Sequence, residues 1–311
     1  MRFPFDLKTE AEFDVLGFGT NAVDYLIRVP EYPEFDSKVE FLDYVQAAGG
    51  EVATTMVGLR RLGLVTSYIG RFGSDPEGGL GIQNLRDEGV DLRFTETVDG
   101  ARTQIAFIII DERNGERTII WKRDQKLEFG PDEVSRSWVK NAKVFHFTPH
   151  DVAACVKLAR AAKDYGAVVS IDIDNVFDGI EDLLPLVDVL ISSSEFPVKF
   201  LGLNDPEQSL QEMHSRFGCA LVGLTMGDQG SIIFSSGRFF RTSGCVVPGG
   251  CKDTTGAGDA FRSGLLYGLL RNESIEMSAK MANAVAALKC REVGARTALP
   301  NLRELTEILG V

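Results

Sequence analysis

Short continuous apolar runs alternate along this chain with longer stretches in which apolar residues recur at helical spacing. The runs predict buried strands and the spaced stretches predict amphipathic helices. Predicted strands cover 13–18, 65–69, 143–147, 167–173, 187–191 and 219–224, and predicted helices cover 52–62, 78–88, 151–165, 179–184, 207–217, 257–270, 274–290 and 301–309. Such alternation predicts an α/β fold, in which helices cover both faces of a mostly parallel sheet.

One region carries strand patterns without intervening helices. Residues 38–46 and 103–122 favour strands, and the apolar segments 104–110 and 117–121 flank Asn114-Gly115, which is a strong hairpin signal. We therefore expect a small β-sheet that projects from the core. A second hairpin is predicted over 231–241.

The run Asp253-Thr254-Thr255-Gly256-Ala257-Gly258-Asp259-Ala260-Phe261 stands at the start of a predicted helix. The first N–H groups of a helix have no partner within it, and the helix dipole adds partial positive charge there. Glycines let an anion approach closely, so a nucleotide phosphate fits at this position. The sequence predicts an anion hole formed by Gly256, Ala257 and Gly258.

Asp259 follows these glycines, where its charge would repel a phosphate. A carboxylate at this position is useful nevertheless if it takes the proton of an attacking hydroxyl while a metal ion offsets the negative charge. The simpler interpretation is that Asp259 complements the helix dipole and the glycines make a tight turn. The combination of both features favours phosphoryl transfer, with Asp259 as the catalytic base.

The run Asp253–Phe261 resembles the C-terminal signature of ribokinase-like, PfkB-type carbohydrate kinases. Other segments follow in the order of that family over nearly the whole chain: Gly19–Asp24, Ala48-Gly49-Gly50, Gly70–Gly78, Thr225–Gly230 and Asn283 with Gly294-Ala295. The resemblance implies a single ribokinase-like α/β domain over 1–311, with a three-layer core. It also implies a β-sheet lid over the substrate, formed by residues of about 21–48 and 94–125.

The resemblance also implies roles for individual residues. Substrate would be bound by Asp24, Gly49, Gly50 and Thr54, and the nucleotide by Thr225, Gly227, Gly230 and Asn283. Glu195 would hold Mg²⁺ through water, and Asp253 with the loop before Gly294 would bind a monovalent cation such as K⁺. This chain departs from the family pattern at Thr54, Asp174 and Ser192, where relatives carry asparagine.

Composition narrows the class of protein. The chain has 311 residues, of which 44% are hydrophobic, so it can bury a large core. A net charge of −12 argues against nucleic acid or an anionic membrane as a partner. The odd number of cysteines, 5, without C-x-x-C spacing predicts reduced thiols. No N-terminal signal region and no long apolar span is present, so we expect a cytoplasmic protein.

A second motif competes with this interpretation. The predicted strand 13–18 leads into Gly17-x-Gly19-x-x-Ala22, the weak form of the dinucleotide-binding fingerprint. A dehydrogenase would need a helix directly after it, but Pro30 and Pro33 interrupt the segment, and residues 23–29 favour an extended strand. The nicotinamide alternative is therefore disfavoured.

The sequence predicts an ATP-dependent sugar kinase that transfers the γ-phosphoryl group to a hydroxyl of a small, ribose- or fructose-like carbohydrate. Two related alternatives remain: a nucleoside kinase, with aromatic residues that stack on a base, and a phosphosugar kinase, with Arg102, Arg117 and Lys122 on the lid as basic residues. A ligand-binding regulator without turnover is disfavoured by the intact Asp259. The lid sheet is also expected to pair two copies of the chain in a homodimer.

Overall fold

The structure is a computed structural model, and it describes residues 1–310. The strands are β1 (Phe13–Phe18), β2 (Ala22–Val29), β3 (Asp43–Gly49), β4 (Thr66–Gly73), β5 (Asp91–Val98), β6 (Ile105–Asp111), β7 (Arg117–Lys122), β8 (Ala142–Phe147), β9 (Val168–Ile173), β10 (Val189–Ser193), β11 (Leu221–Thr225), β12 (Ser231–Ser235) and β13 (Arg238–Thr242). The helices are α1 (Glu51–Arg61), α2 (Pro76–Asp87), α3 (Val152–Asp164), α4 (Ile180–Leu183), α5 (Glu195–Leu201), α6 (Pro206–Phe217), α7 (Ala257–Leu270), α8 (Ile275–Lys289) and α9 (Leu302–Leu309).

Nine strands form one large sheet in the order β13-β12-β11-β10-β9-β8-β1-β4-β5. All neighbouring pairs from β11 to β5 run parallel, and only the hairpin strands β12 and β13 pair in the antiparallel sense. The parallel strands share one carboxyl edge. The loops that follow β1, β8, β9, β10 and β11 therefore meet along that edge, where ligands of open α/β sheets bind.

Helices cover both faces of the large sheet and give it two separate cores. Side chains alternate along each strand, so Leu16 and Phe18 of β1 pack with α3 and α6 on one face, whereas Val15 packs on the other face with α1, α7 and α8. Small residues bring three of these helices close together. A Cβ at Gly58 of α1 would lie 2.4 Å from Ser263 Oγ of α7, and one at Gly264 would lie 2.5 Å from the Cα of Ala282 in α8. The α/β class with helices on both faces, as predicted, is confirmed.

The other four strands form a separate sheet in the order β3-β2-β6-β7. Its hairpin β6–β7 turns at Asn114-Gly115 as predicted, with Gly115 at a φ of 73°. Two boundaries differ from the prediction. Residues 38–42 precede β3 without strand structure, and residues 94–98, assigned to the lid segment 94–125, belong to β5 of the large sheet, because β5 pairs with β4.

Within residues 1–310, no helix has both the length and the apolar character needed to cross a bilayer. All five cysteines are free thiols.

Candidate functional site

The run Asp253–Asp259 forms a loop that leads into α7. Gly256 adopts a left-handed φ of 75° as the residue before the helix, and a Cβ there would lie 2.9 Å from the Cβ of Ala295. Only glycine tolerates both the conformation and the contact. The N–H of Ala257 donates to the carbonyl oxygen of Thr254 at 3.1 Å, so this predicted anion-hole donor is already engaged in the turn. Within residues 1–310, the N–H groups of Gly256 and Gly258 have no acceptor.

Asp259 lies in the first turn of α7, next to these open N–H groups. Its backbone is held by neighbouring hydroxyls, since Ser263 Oγ and Thr55 Oγ1 donate to its carbonyl oxygen at 3.0 and 3.3 Å. Burial and the nearby Asp172 raise the pKa of its carboxyl, against the opposing effects of Arg262 and Arg117. No donor in residues 1–310 binds this carboxylate, which leaves it available to an incoming hydroxyl.

Arg262 is a buried cation that the sequence analysis did not assign to the site. Only 4% of the residue is exposed, and its Nη2 lies 2.5 Å from Asp172 Oδ1 and donates to the carbonyl oxygen of Ile191 at 3.2 Å. One helical turn earlier, a Cβ on Gly258 would lie 2.5 Å from Arg262 Nη1. The guanidinium therefore lies beside the anion-hole segment and joins it to the carboxyl ends of β9 and β10.

Asp24 on β2 lies against the di-glycine Gly49-Gly50 at the end of β3. A Cβ on Gly49 would lie 2.0 Å from Asp24 Oδ2, and Gly50 has a left-handed φ of 90°. Asp24 is 4% exposed, and no group in residues 1–310 donates a hydrogen bond to its carboxylate. Burial raises its pKa to about 6, with Arg296 as the main opposing charge. A nearly buried carboxylate without a partner is a candidate ligand for sugar hydroxyls.

Thr54, the fourth predicted substrate residue, is fully buried in α1. Its Oγ1 accepts a hydrogen bond from Arg296 Nε at 3.2 Å. The same guanidinium donates to Asn84 Oδ1 at 2.6 Å and to the carbonyl oxygen of Gly49. Thr54 thus supports Arg296, which in turn fixes the di-glycine segment beside Asp24, and a direct contact of Thr54 with substrate stays a prediction.

Replacing Asp24 with asparagine is expected to stabilise the protein while it weakens substrate binding. The free carboxyl has a pKa near 4, so between about pH 4 and pH 6 the folded state holds the proton more tightly than the unfolded state. Above that window the charge is buried at a cost of roughly 3 kcal/mol, which asparagine avoids. Melting temperatures should therefore rise by roughly 5 °C at neutral pH, and the gain should vanish near pH 4.

The exposed Asp87 offers a matched control, since Asp87→Asn should change the melting temperature little at any pH. The KM for the sugar should rise roughly ten- to a hundredfold in Asp24→Asn only, because a charged hydrogen-bond acceptor is lost. A gain in stability that does not depend on pH would contradict the assignment of a buried charge to Asp24.

The four-stranded sheet contributes residues to the same site through one of its faces. Cross-strand pairing aligns Asp24, Ala106 and Trp121 in one row, because Asp24 pairs with Ala106 and Ala106 with Trp121. Trp121 is 55% exposed, and its ring contacts His150 with centroids 6.2 Å apart. His150 in turn contacts Phe177 at 5.2 Å. An aromatic group thus lies on the site side of this sheet.

Of the three basic residues assigned to the lid, only Arg117 reaches the anion-hole loop, which is the segment Asp253–Gly258 with the predicted anion hole. Its Nη1 donates to Thr254 Oγ1 at 2.8 Å, and its charge lowers the pKa of Asp259 and of Asp24. Lys122 pairs with Ile105, so it lies on the opposite face of the sheet from Trp121. Arg102 is exposed before β6, where its N–H donates to Asp124.

The predicted nucleotide residues lie at the end of β11, in the turn between β11 and β12, and within α8. Thr225 ends β11 and donates through Oγ1 to the carbonyl oxygen of Ser192 at 3.4 Å. Gly227 has a φ of 59°, and Gly230, with a φ of 94°, packs directly on the backbone after β13. Asn283 is 6% exposed and joins α8 to the hairpin, since Nδ2 donates to Ser231 Oγ at 3.3 Å. These contacts are structural, and nucleotide binding by these four residues stays a prediction.

Carboxylates concentrate on one side of Asp259. Burial raises the pKa of Glu51, and Asp174, Asp172 and Asp259 raise it further, so these carboxylates lie near one another at the end of β9 and the start of α1, where Arg262 is paired with Asp172. Glu195, the predicted magnesium ligand, begins α5, with a side chain that is 74% exposed and lies 3.1 Å from Lys199 Nζ. Within residues 1–310, no group of three or more His, Cys, Asp or Glu side chains is placed so that it could hold a metal ion.

Asp253, the predicted cation ligand, is fully buried and anchors the start of the loop. Its Oδ1 accepts the N–H of Thr255 at 2.8 Å, and its Oδ2 accepts the N–H of Gly294 at 2.8 Å. Lys289, also 0% exposed, donates from Nζ to the Asp253 carbonyl oxygen at 2.8 Å. This buried lysine was missed by the sequence analysis, although a single cation in the apolar run 282–290 was a signal for it.

Comparison with known proteins shows which family the chain belongs to. The model of the pfkB family of carbohydrate kinases matches residues 15–302. The chain belongs to this family. As a pfkB carbohydrate kinase it is a phosphotransferase that acts on an alcohol group, and the resemblance from sequence motifs is confirmed. The ribokinase-like fold is confirmed as well.

Three relatives illustrate the range of this family. The chain is 28% identical to the ATP-dependent ribose-1-phosphate kinase of Halopiger xanaduensis over 289 residues, which covers 91% of this chain and 94% of that enzyme. It is 26% identical to the nucleoside kinase of Methanothermobacter thermautotrophicus over 297 residues, which covers 94% of this chain and 94% of that enzyme. The structure of Arabidopsis thaliana ribokinase complexed with ribose and ATP superimposes with a TM-score of 0.81 at 21% identity, covering 96% of this chain and 99% of that one.

Proposed function

We propose that this pfkB kinase transfers the γ-phosphoryl group of ATP to a hydroxyl of a small sugar. The observation that carries the proposal is the position of Asp259 in the first turn of α7, directly after the open N–H groups of Gly256 and Gly258. Asp24, Gly49 and Gly50 would hold the sugar hydroxyls. Thr225, Gly227, Gly230 and Asn283 would border the nucleotide.

The proposed step is a direct in-line transfer. The substrate oxygen forms a bond to the γ-phosphorus while the bond from the γ-phosphorus to the bridging oxygen breaks, and ADP leaves. The hydroxyl proton passes to Asp259, whose raised pKa suits a base that works near neutral pH. The N–H groups of Gly256 and Gly258 and the guanidinium of Arg117 would stabilise charge on the phosphoryl oxygens.

Mg²⁺ is part of this proposal, because negative charge accumulates around Glu51, Asp172 and Asp174 with Arg262 as the nearby cation. Mg²⁺ is commonly bound by one or two carboxylates, water and substrate phosphates, so a complete protein cage is not required. Glu195 and Asp174 are exposed enough to hold it through water. When bound, the ion would neutralise charge on the ATP phosphates.

The test is an ATP-consumption assay of the purified protein with pentoses, hexoses, their phosphates and nucleosides. We expect turnover with at least one free sugar, and Asp259→Asn should lower that turnover by roughly 10²–10⁴. ATP consumption only with sugar phosphates, or only with nucleosides, would show that the substrate belongs to that class and is not a free sugar. No ATP consumption with any acceptor would contradict the kinase proposal.

A nucleoside is the second candidate acceptor, supported by Trp121, His150 and Phe177 on the site side of the four-stranded sheet. Such aromatic rings can stack on a base. A Trp121→Ala variant distinguishes the two acceptors, since it should raise the KM for a nucleoside strongly and the KM for a small sugar much less. The basic residues give the phosphosugar alternative less support, because Lys122 lies on the far face and Arg117 already contacts the anion-hole loop.

We further propose a cytoplasmic homodimer that pairs the outer faces of two four-stranded sheets. Tyr44, Phe107 and Ile120 are 63%, 44% and 58% exposed on the face away from Asp24. Exposed apolar groups of this size favour a protein contact. Sedimentation velocity should give a dimer that Ile120→Asp converts to a monomer, whereas Val176→Asp, at another exposed apolar position, should leave it intact. A monomeric wild-type protein at assay concentration would contradict this proposal.

A further inference from the structure

The carboxylate of Asp253 lies beneath the anion-hole loop and has no access to water, since the residue is 0% exposed. Two backbone N–H groups, from Thr255 and Gly294, bind its two oxygens at 2.8 Å each. These hydrogen bonds join the start of the loop to the segment after α8. A buried carboxylate also requires a nearby positive charge, because its full charge is costly in a medium of low dielectric constant.

Lys289 provides that charge from the last residue of α8. Its side chain is 0% exposed, its Nζ lies 3.6 Å from Asp253 Oδ2, and it donates to the Asp253 carbonyl oxygen at 2.8 Å. Lysine is almost never buried to this extent unless it is paired. Burial lowers the pKa of Lys289, and the Asp253 carboxylate opposes that shift.

The ammonium group therefore contacts the carbonyl and carboxylate oxygens of Asp253. These are the oxygens that would bind a monovalent cation at this position. A K⁺ ion at the same oxygens would meet an ammonium group of like charge within a closed space. The residues present do not fit the cation site that the family resemblance implied.

We propose that the Lys289 ammonium replaces the monovalent cation in this chain, so that the kinase works without K⁺. The proposal rests on the proposed kinase function for its activity readout. It assigns Lys289 a positioning role: the ammonium fixes Asp253, and Asp253 fixes the loop whose N–H groups receive the phosphate. The Lys289 side chain thereby holds the anion-hole loop in place, and no ion from the solution is required.

The first measurement compares the wild-type protein in potassium chloride and in choline chloride at equal ionic strength. We expect the same kcat, the same KM for ATP and the same melting temperature in both salts. The second measurement repeats this comparison with Lys289→Ala, which opens space beside Asp253. In choline this variant should lose roughly tenfold or more in kcat/KM and melt at a lower temperature, because the buried carboxylate has lost its partner.

Potassium or ammonium ions should restore part of the loss in Lys289→Ala, and choline should not. Lys280→Ala, at an exposed position of the same helix, is the matched control and should behave as the wild type in both salts. Rescue of the melting temperature is read without turnover, so it separates this proposal from the proposed kinase activity. Stimulation of the wild type by K⁺, or a folded Lys289→Ala variant that no cation affects, would overturn the proposal.

If Lys289→Ala does not fold, Lys289→Met, which keeps a long side chain without charge, is measured in its place for activity and melting temperature. We expect Lys289→Met to stay impaired in every salt, because its side chain fills the cation position. Wild-type activity in this variant would show that the position needs no charge.

Discussion

Replacing Asp259 with asparagine is expected to lower kcat by roughly 10²–10⁴ while the protein stays folded. This corresponds to about 3–5 kcal/mol of activation free energy. Asparagine keeps the shape of the side chain but cannot accept the proton of the substrate hydroxyl. Because burial raises the pKa of Asp259 to about 8, this carboxyl must take up a proton when the chain folds at neutral pH, which costs free energy, and the variant should melt at the wild-type temperature or above it.

Steady-state kinetics and thermal melting at one pH, with Asp87→Asn as the exposed control, measure both effects. The affinity for ATP should persist or increase in Asp259→Asn, because a negative charge near the phosphates has gone. The pH profile of kcat/KM is a second measurement. For the wild type, kcat/KM should rise with pH as Asp259 loses its proton, and the residual activity of the variant should not follow that rise. Near-normal turnover at unchanged stability would leave Asp259 with only a favourable interaction with the dipole of α7.

The sequence was sufficient for the parts of the site that lie close together in the chain. Asp253–Asp259 carries the helix start, the glycines and the acid within a few residues, and helix geometry alone makes them neighbours. The alternation of strands and helices also predicted the layered sheet, and β12–β13 was found as a hairpin. Elements with weaker patterns, such as β5 and α5, were missed.

The charged partners of the site could not be predicted in this way. Arg262 meets Asp172, and Lys289 meets Asp253, across long separations in the chain that only the packing of α7 and α8 decides. One signal was available, since each cation interrupts an apolar helical run, and a buried helix carries a charge only where a partner is present. The motif identified Asp253, but nothing in the sequence indicated which cation would pair with which carboxylate.

The four-stranded sheet shows a second limit. Alternation of apolar residues predicted strands but not which face turns to the site, because both faces of β6 and β7 carry large apolar groups. The strand register determines which face turns to the site, because it aligns Asp24 with Ala106 and Trp121. Lys122 and Arg117 are only five residues apart on β7, yet they lie on opposite faces, which removed one basic residue from the candidate site.

The largest effect on stability is expected at Arg262. The variant Arg262→Met keeps most of the side-chain length but leaves Asp172 buried without its cation, and breaking a buried pair in this way costs about 3–5 kcal/mol. By contrast, Arg303→Met removes an exposed pair with Glu307, in which the two side chains are 84% and 60% exposed, and should cost less than about 1 kcal/mol. Urea denaturation of both variants gives the comparison.

A double-mutant cycle shows whether the loss at Arg262 comes from the unpaired charge. Arg262→Met combined with Asp172→Asn should recover about 1–3 kcal/mol relative to the sum of the two single variants, because no charge then stays buried alone. Catalysis should not recover with stability, since Arg262 also lies against Gly258 and fixes the anion-hole segment. Additive losses in the cycle would contradict the pairing of Arg262 with Asp172, and full activity in the double variant would remove Arg262 from the support of the anion hole.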